Sequence, residues 1–234
     1  MITTILFDLD GTLLPMDQDK FVKSYIGRMA KKLAPYGYDP DLLSAGLWKG
    51  TGAMVKNTGD LTNEEVFWAV FNATQGKDCR CDDHLFTEYY RNEFQLVAED
   101  CGFDSRAGEA ICEIKKLGYR VGLATNPLFP TIATHSRAKW AGLNTDDFEI
   151  ITTYENSHFC KPNPDYYREI LDKLDVKPEN CVMVGNDVQE DMVAASLGMK
   201  VFLLTDCIIN RTGEDISAFP HGSFPELMDF LRRL

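Results

Sequence analysis

The sequence has no apolar run approaching the roughly 18–20 residues that a membrane-spanning helix needs. Nor does it open on a basic stretch followed by an apolar one, so neither a membrane span nor a signal peptide is expected. Cations are scarce: Lys and Arg together number 24 against 36 Asp and Glu, a net charge of −12. Nonspecific nucleic-acid binding needs clustered Lys and Arg to displace counterions, so a nucleic-acid partner is not expected. An anionic small molecule is still compatible, because a local cationic site can override net charge. The four histidines, His84, His135, His158 and His221, show no ligand spacing. The seven cysteines are scattered, with a single C-x-C pair at Cys79 and Cys81 and no C-x-x-C. That pattern argues against a disulfide framework or structural zinc, and for reduced thiols in a cytoplasmic protein. No internal repeat or low-complexity stretch is found.

What is present is an ordinary globular balance, 44% hydrophobic and 26% charged over 234 residues. This suffices for one large domain, or a domain with a smaller module. Short apolar runs at Ile2 to Phe7, Arg120 to Thr125, Phe148 to Thr153, Cys181 to Gly185 and Lys200 to Leu204 read as buried strands that stop at polar residues. Between them, Ser105 to Leu117, Asp165 to Leu174 and Asp187 to Leu197 have helical period. Alternation of this kind predicts an α/β fold, a parallel sheet covered on both faces with its active site at the carboxyl ends of the strands. From about Asp17 to Ala98 no strand is expected. Phe21 to Leu33, Pro40 to Leu47, Asn63 to Asn72 and Asp83 to Phe94 read as helices there. The breakers between them are Pro35-Tyr36-Gly37, Lys49-Gly50-Thr51-Gly52 and Thr58-Gly59-Asp60. Asn210 to Ser223 reads as loop and Phe224 to Leu231 as a last helix.

The first strand runs into Asp8-Leu9-Asp10-Gly11-Thr12-Leu13. Two carboxylates one residue apart at a strand end point into one cleft. At average residue usage, a chance match to D-x-D-G-T-L is on the order of one in a thousand or rarer. The string resembles motif I of the haloacid dehalogenase superfamily of phosphohydrolases. The resemblance implies that Asp8 is the nucleophile and Asp10 the general acid/base. It also implies that Asp8 and the Asp10 carbonyl bind magnesium. A carboxylate approaching a phosphate dianion is repelled, by about 4 kcal/mol per pair of unit charges 4 Å apart at an effective dielectric near 20. A metal and a fixed cation should therefore accompany it.

Both have candidates in the order the resemblance requires. Asp187 and Asp191, read at the start of a helix where a spacing of four shares one face, would complete an oxygen cluster suited to Mg2+. The stretch Gly185-Asn186-Asp187-Val188-Gln189-Glu190-Asp191 is similar to the family's motif IV, although Asn186 holds the place where many members have Asp. Lys161-Pro162-Asn163-Pro164-Asp165-Tyr166-Tyr167 is similar to motif III, and Lys161 would neutralise Asp8 and the phosphoryl group. Thr125 and Asn126, ending the second core strand, are similar to motif II, in which a hydroxyl binds phosphoryl oxygens.

The four motifs span the chain. They imply a Rossmann-like core over residues 1–16 and 98–234, with an all-helical C1-type cap over 17–97, as in phosphoglycolate-phosphatase-like members. Such a cap excludes water and selects substrate. Its cations Lys20, Lys23, Arg28, Lys49 and Lys56 are candidate substrate contacts. Its aromatics Trp48, Phe67, Trp68, Phe71, Phe86, Tyr89 and Tyr90 are expected mostly in its core. The implied activity is phosphatase action on a small phosphorylated metabolite. A phosphosugar mutase would share every core motif. A dehalogenase would lack Asp10 and the metal cluster, and a catalytically silent binding protein would have lost Asp8, Asp10 or Lys161.

Overall fold

The computed structural model describes residues 1–234. Six parallel strands form one sheet in the order β3-β2-β1-β4-β5-β6. They are β1 (Thr4–Phe7), β2 (Arg120–Leu123), β3 (Ile150–Ile151), β4 (Cys181–Gly185), β5 (Lys200–Leu204) and β6 (His221–Gly222). The chain adds β2 and β3 on one side of β1 and then β4 and β5 on the other. The strand order therefore reverses at β1, and in open α/β sheets that reversal opens a crevice at the carboxyl ends.

The central strands β1 and β4 are buried throughout because they are apolar on both faces. Ile5 and Phe7 point to one side, with Val182, Val184 and the apolar stripes of α5 (Ser105–Lys116) and α8 (Phe224–Leu231). Leu6 and Met183 point to the other, against Tyr166, Tyr167, Ile170 and Leu171 of α7 (Pro164–Leu174). A further helix, α6 (Thr131–Trp140), follows β2 and has no counterpart in the sequence reading. Its buried face is made of Ala133, Thr134, Arg137 and Ala138, which gives little hydrophobic period to detect.

Between β1 and β2 the chain is helical, as expected, with α1 (Gln18–Leu33), α2 (Pro40–Val55), α3 (Asn63–Gln75) and α4 (Asp83–Arg91). These helices share an aromatic-rich cluster that includes Phe21, Tyr25, Trp68, Phe71, Phe86 and Tyr89, and it reaches Ala133 of α6. The capping box at Thr62 starts α3, and two of its free N–H groups are taken up by the sheet-bearing part: Asn63 N donates to the Ser157 carbonyl and Glu64 N to that of Tyr154, both at 2.8 Å.

Several expectations need correction. Lys49-Gly50-Thr51-Gly52 is not a breaker, since α2 runs through it. Gly50 is instead a contact residue: a Cβ there would sit 2.6 Å from the Phe67 ring, so its lack of a side chain lets α2 and α3 approach. Asp187 to Leu197 is not an α-helix. It is a run of turns followed by a 3-10 segment at Met192–Leu197, because the Asp187 carboxylate takes the Gln189 and Glu190 N–H groups and Asp187 bridges to Ile209. The loop expected at Asn210 to Ser223 contains the short edge strand β6. All seven cysteines are free. No helix is long and apolar enough to cross a membrane.

Candidate active site

The crevice at the end of β1 holds a cavity of about 160 Å3 lined by Asp8, Asp10, Thr125, Asn126, Asn186, Asp187, Glu190 and Asp191 together with apolar residues of α1 and the loop before α6. The parallel ladder is what gathers them. Asp8 N donates to the Val184 carbonyl and Ala124 N to that of Phe7, so the ends of β2, β1 and β4 are held level.

Asp8 is buried, and both of its oxygens are fixed. Lys161 Nζ donates to Oδ1 at 2.8 Å and the Thr12 hydroxyl to Oδ2 at 3.1 Å. Thr12 lies close to the Asn186 side-chain oxygen as well, at 2.9 Å. Lys161 also donates to Asp191 Oδ1 at 2.7 Å, so one ammonium serves two carboxylates at 1% exposure. Burial opposes its charge, but Asp191 and Asp8 outweigh burial and raise its pKa well above the usual lysine value. It is a permanent cation beside Asp8. Its loop carries a cis Lys161–Pro162 peptide. The Lys161 N–H donates to Asn126 Oδ1 at 3.2 Å, and the Asn126 amide donates to Glu190 Oε2 at 3.0 Å. Asn126 therefore ties the Lys161 loop to the Glu190 turn. The Thr125 carbonyl accepts from Thr152 and Tyr166, which seats the end of β2.

Asp191 has no free oxygen. Oδ1 accepts from Lys161 and Oδ2 from the Asp187 N–H at 3.0 Å. It comes so close to the end of β4 that a Cβ on Gly185 would lie 2.0 Å from its carboxylate, so only glycine fits at 185. Burial pushes the Asp191 carboxyl up, against the pull of Lys161. Burial likewise raises Glu190.

Asp10 faces Arg137, whose guanidinium pairs with its Oδ2. Arg137 is wholly buried, lies 4.3 Å from the Phe129 ring centroid, and leaves its Nε without a partner. Asp10 Oδ1 is buried without a partner too. Burial raises the Asp10 pKa, Arg137 opposes it, and Asp8 adds to it. Asp187 Oδ2 accepts from Arg211 at 2.5 Å.

Sequence reasoning missed Arg137, Arg211, Thr12 and Glu190. Arg137 sits in a helix whose alanine face hid it, and Arg211 in a loop with no pattern. In the sequence Thr12 stands out only as part of the motif string, and the fold shows its hydroxyl donating to Asp8 Oδ2.

Five carboxylates, Asp8, Asp10, Asp187, Glu190 and Asp191, face three cations, Lys161, Arg137 and Arg211, which leaves two formal negative charges in excess. The donors are all hard oxygens of the kind that suit magnesium. No three acidic side chains converge in the geometry of an ion site, because each is drawn to a cation. Only Arg211, half exposed at the rim, would need to swing away to free Asp187.

A model of haloacid dehalogenase-like hydrolases matches residues 2–198. The chain belongs to the haloacid dehalogenase-like hydrolase family. It is 27% identical over 234 residues to the phosphoglycolate phosphatase of Colwellia psychrerythraea, spanning 98% of this chain and 96% of that protein. It is 25% identical over 199 residues to the pyrophosphatase PpaX of Bacillus velezensis, spanning 85% of this chain and 81% of that one. Its fold is similar to that of a Thermococcus onnurineus HAD phosphatase, with a TM-score of 0.59 at 21% identity over 98% of both chains. It is also similar to that of a Pseudomonas syringae 2-haloacid dehalogenase, with a TM-score of 0.64 at 20% identity over 100% and 99% of the chains.

Proposed function

We propose that this hydrolase is a magnesium-dependent phosphatase that cleaves a small phosphomonoester through an aspartyl-phosphate on Asp8. One observation carries the reading: a buried Lys161 ammonium stands 2.8 Å from Oδ1 of Asp8, and Asp8 lines the cavity together with Asp10. A carboxylate kept beside a permanent cation can receive a phosphate dianion that it would otherwise repel.

In the first step an Asp8 oxygen bonds to phosphorus as the ester oxygen departs, and Asp10 protonates that oxygen. Burial raises the Asp10 pKa against the pull of Arg137, the direction a general acid requires. In the second step Asp10 takes a proton from water, water attacks phosphorus, and Asp8 and inorganic phosphate are released. Lys161 stays charged throughout. The Thr125 hydroxyl is the candidate donor to the phosphoryl oxygens. Asp8, the Asp10 carbonyl and Asp187 would hold the magnesium. When bound, the ion supplies charge neutralisation at phosphorus. Asp191 is the least available ligand, since both its oxygens are engaged, and its contribution is to orient Lys161 and the Asp187 turn. We read residues 17–97 as the cap over this crevice. The two phosphatases to which the chain is similar support phosphoryl chemistry over dehalogenation.

The test is release of inorganic phosphate from a broad ester panel, with magnesium or with EDTA, for wild type and Asp8→Asn. Turnover that needs magnesium and disappears in the variant is expected. Equal turnover by the variant, or indifference to EDTA, refutes the reading.

A further inference from the structure

Beside the catalytic cavity lies a larger one, of about 570 Å3, between α1–α4 and the segments around Leu128 and Tyr154. Val22, Leu128 and Phe129 line both, so the two share a wall. Its size is that of a small-molecule site. Of its 23 lining residues 14 are hydrophobic, and aromatic rings dominate, among them Tyr25, Phe67, Trp68, Phe86 and Tyr90. Trp48, also in the lining, is 57% exposed.

The charges in this wall are mostly engaged. Arg80 donates to Glu64 at 2.7 Å and lies over the Trp68 ring. Glu155 accepts from the Thr131 N–H and hydroxyl, where it caps the start of α6. Arg91, exposed, is the one cation of the lining with no acidic partner. A second anionic group on a substrate, such as a carboxylate or another phosphate, would meet mainly apolar rings and the carboxylates of Glu64, Asp83 and Glu155, with the exposed Arg91 as the one unpaired cation at the wall. An uncharged apolar body would instead be removed from water on several sides.

We propose that this cavity receives the organic part of the substrate, and that this part is an uncharged alkyl or aryl group, so the preferred substrates are apolar phosphomonoesters. The proposal rests on the phosphatase reading of the adjoining site, and it differs from what the names of the phosphoglycolate phosphatase and pyrophosphatase relatives suggest.

The experiment is steady-state kinetics, with magnesium, on n-alkyl phosphates from methyl to hexyl, 2-naphthyl phosphate, phosphoglycolate and pyrophosphate. In parallel, binding of the non-hydrolysable 2-naphthylmethylphosphonate is followed by quenching of tryptophan fluorescence. The expected result is kcat/KM rising by up to about fourfold per added methylene. Hexyl and naphthyl phosphates are expected to exceed phosphoglycolate and pyrophosphate. Thr51→Trp, which fills the cavity from α2, should lower the ratio of kcat/KM for naphthyl over methyl phosphate by about tenfold or more. Trp48→Ala, at an exposed position that leaves folding intact, should lower the same ratio severalfold.

A flat alkyl series, or a preference for phosphoglycolate or pyrophosphate, overturns the proposal while leaving the phosphatase reading in place. Saturable phosphonate quenching that Thr51→Trp abolishes, with no ester hydrolysed, upholds the apolar site and refutes the phosphatase reading. Neither quenching nor hydrolysis refutes both.

Discussion

Arg137→Met should destabilise the protein sharply, and Asp10→Asn on top of it should restore most of the loss. The side chain of Arg137 is 0% exposed and that of Asp10 20%, so their pairing is largely desolvated. Methionine fills much of the arginine volume, which confines the perturbation to charge. Leaving one partner of a buried pair alone costs about 3–5 kcal/mol. The fifth of Asp10 that water still reaches places the expected cost near the lower end, about 3 kcal/mol. For a chain of this length, that lowers Tm by about 6–12 °C. In Arg137→Met/Asp10→Asn neither charge remains, and stability should return to within about 1 kcal/mol of wild type. Urea denaturation of the four proteins of the cycle, read by circular dichroism and by tryptophan fluorescence, gives the coupling directly. A single-variant cost below about 1 kcal/mol, or a double variant whose loss equals the sum of the singles, would sink the argument that the pair is a buried charge balance.

Three further outcomes are expected. Gly50→Ala drives a methyl group to 2.6 Å from the Phe67 ring and should cost about 1–2 kcal/mol net, whereas Gly52→Ala, two residues along the same helix with open space around it, should stabilise by about 0.5–1 kcal/mol. Chemical denaturation of both variants checks the opposite signs, and two changes of the same sign would refute the packing account. Magnesium at about 100 times its Kd should add about 2.7 kcal/mol, raising Tm by about 5–10 °C. Asp187→Asn should lose most of that shift in differential scanning calorimetry, and an undiminished shift would remove Asp187 from the metal site. Glu169 is partly buried, which opposes its charge, yet hydrogen bonds from His158 and Lys173 outweigh burial and hold its pKa below the usual value. A depressed acid stabilises the fold above its unfolded pKa, and that contribution vanishes as pH falls through the folded value. Glu169→Gln should therefore cost about 1 kcal/mol near pH 7 and progressively less as pH falls through the folded value, and a pH-independent cost would contradict the linkage.

The sequence was most legible where chemistry and strand ends coincide. Asp8, Thr125, Lys161 and Asp187 each close a short local pattern, and the structure brings all four to one crevice. Strands β1, β2, β4 and β5 were readable because burial on both faces demands continuous apolar runs. Strand β6 was not, since His221-Gly222 at the sheet edge has no such demand on it. Gly50 and Gly52 look alike in sequence, and only the position of α3 distinguishes a close contact from open space. The Asp187–Asp191 spacing suggested a helical face, but side-chain capping of the Gln189 and Glu190 N–H groups set a turn there instead. Arg137 and Arg211 were illegible because a cation's role depends on which carboxylate it meets, and that partner is 127 residues away for Arg137.

Helix α6 touches two things at once. Ala133 packs into the aromatic cluster of α1–α4, and Arg137, one turn further on, holds Asp10. A rigid rod pinned at both points transmits displacement. If the four helices shift, Ala133 and Trp140 carry α6 with them along its length, and the Arg137 guanidinium moves against the Asp10 carboxylate. A displacement of those helices would then reach the Asp10 carboxylate across four residues of backbone, with no dedicated signalling element.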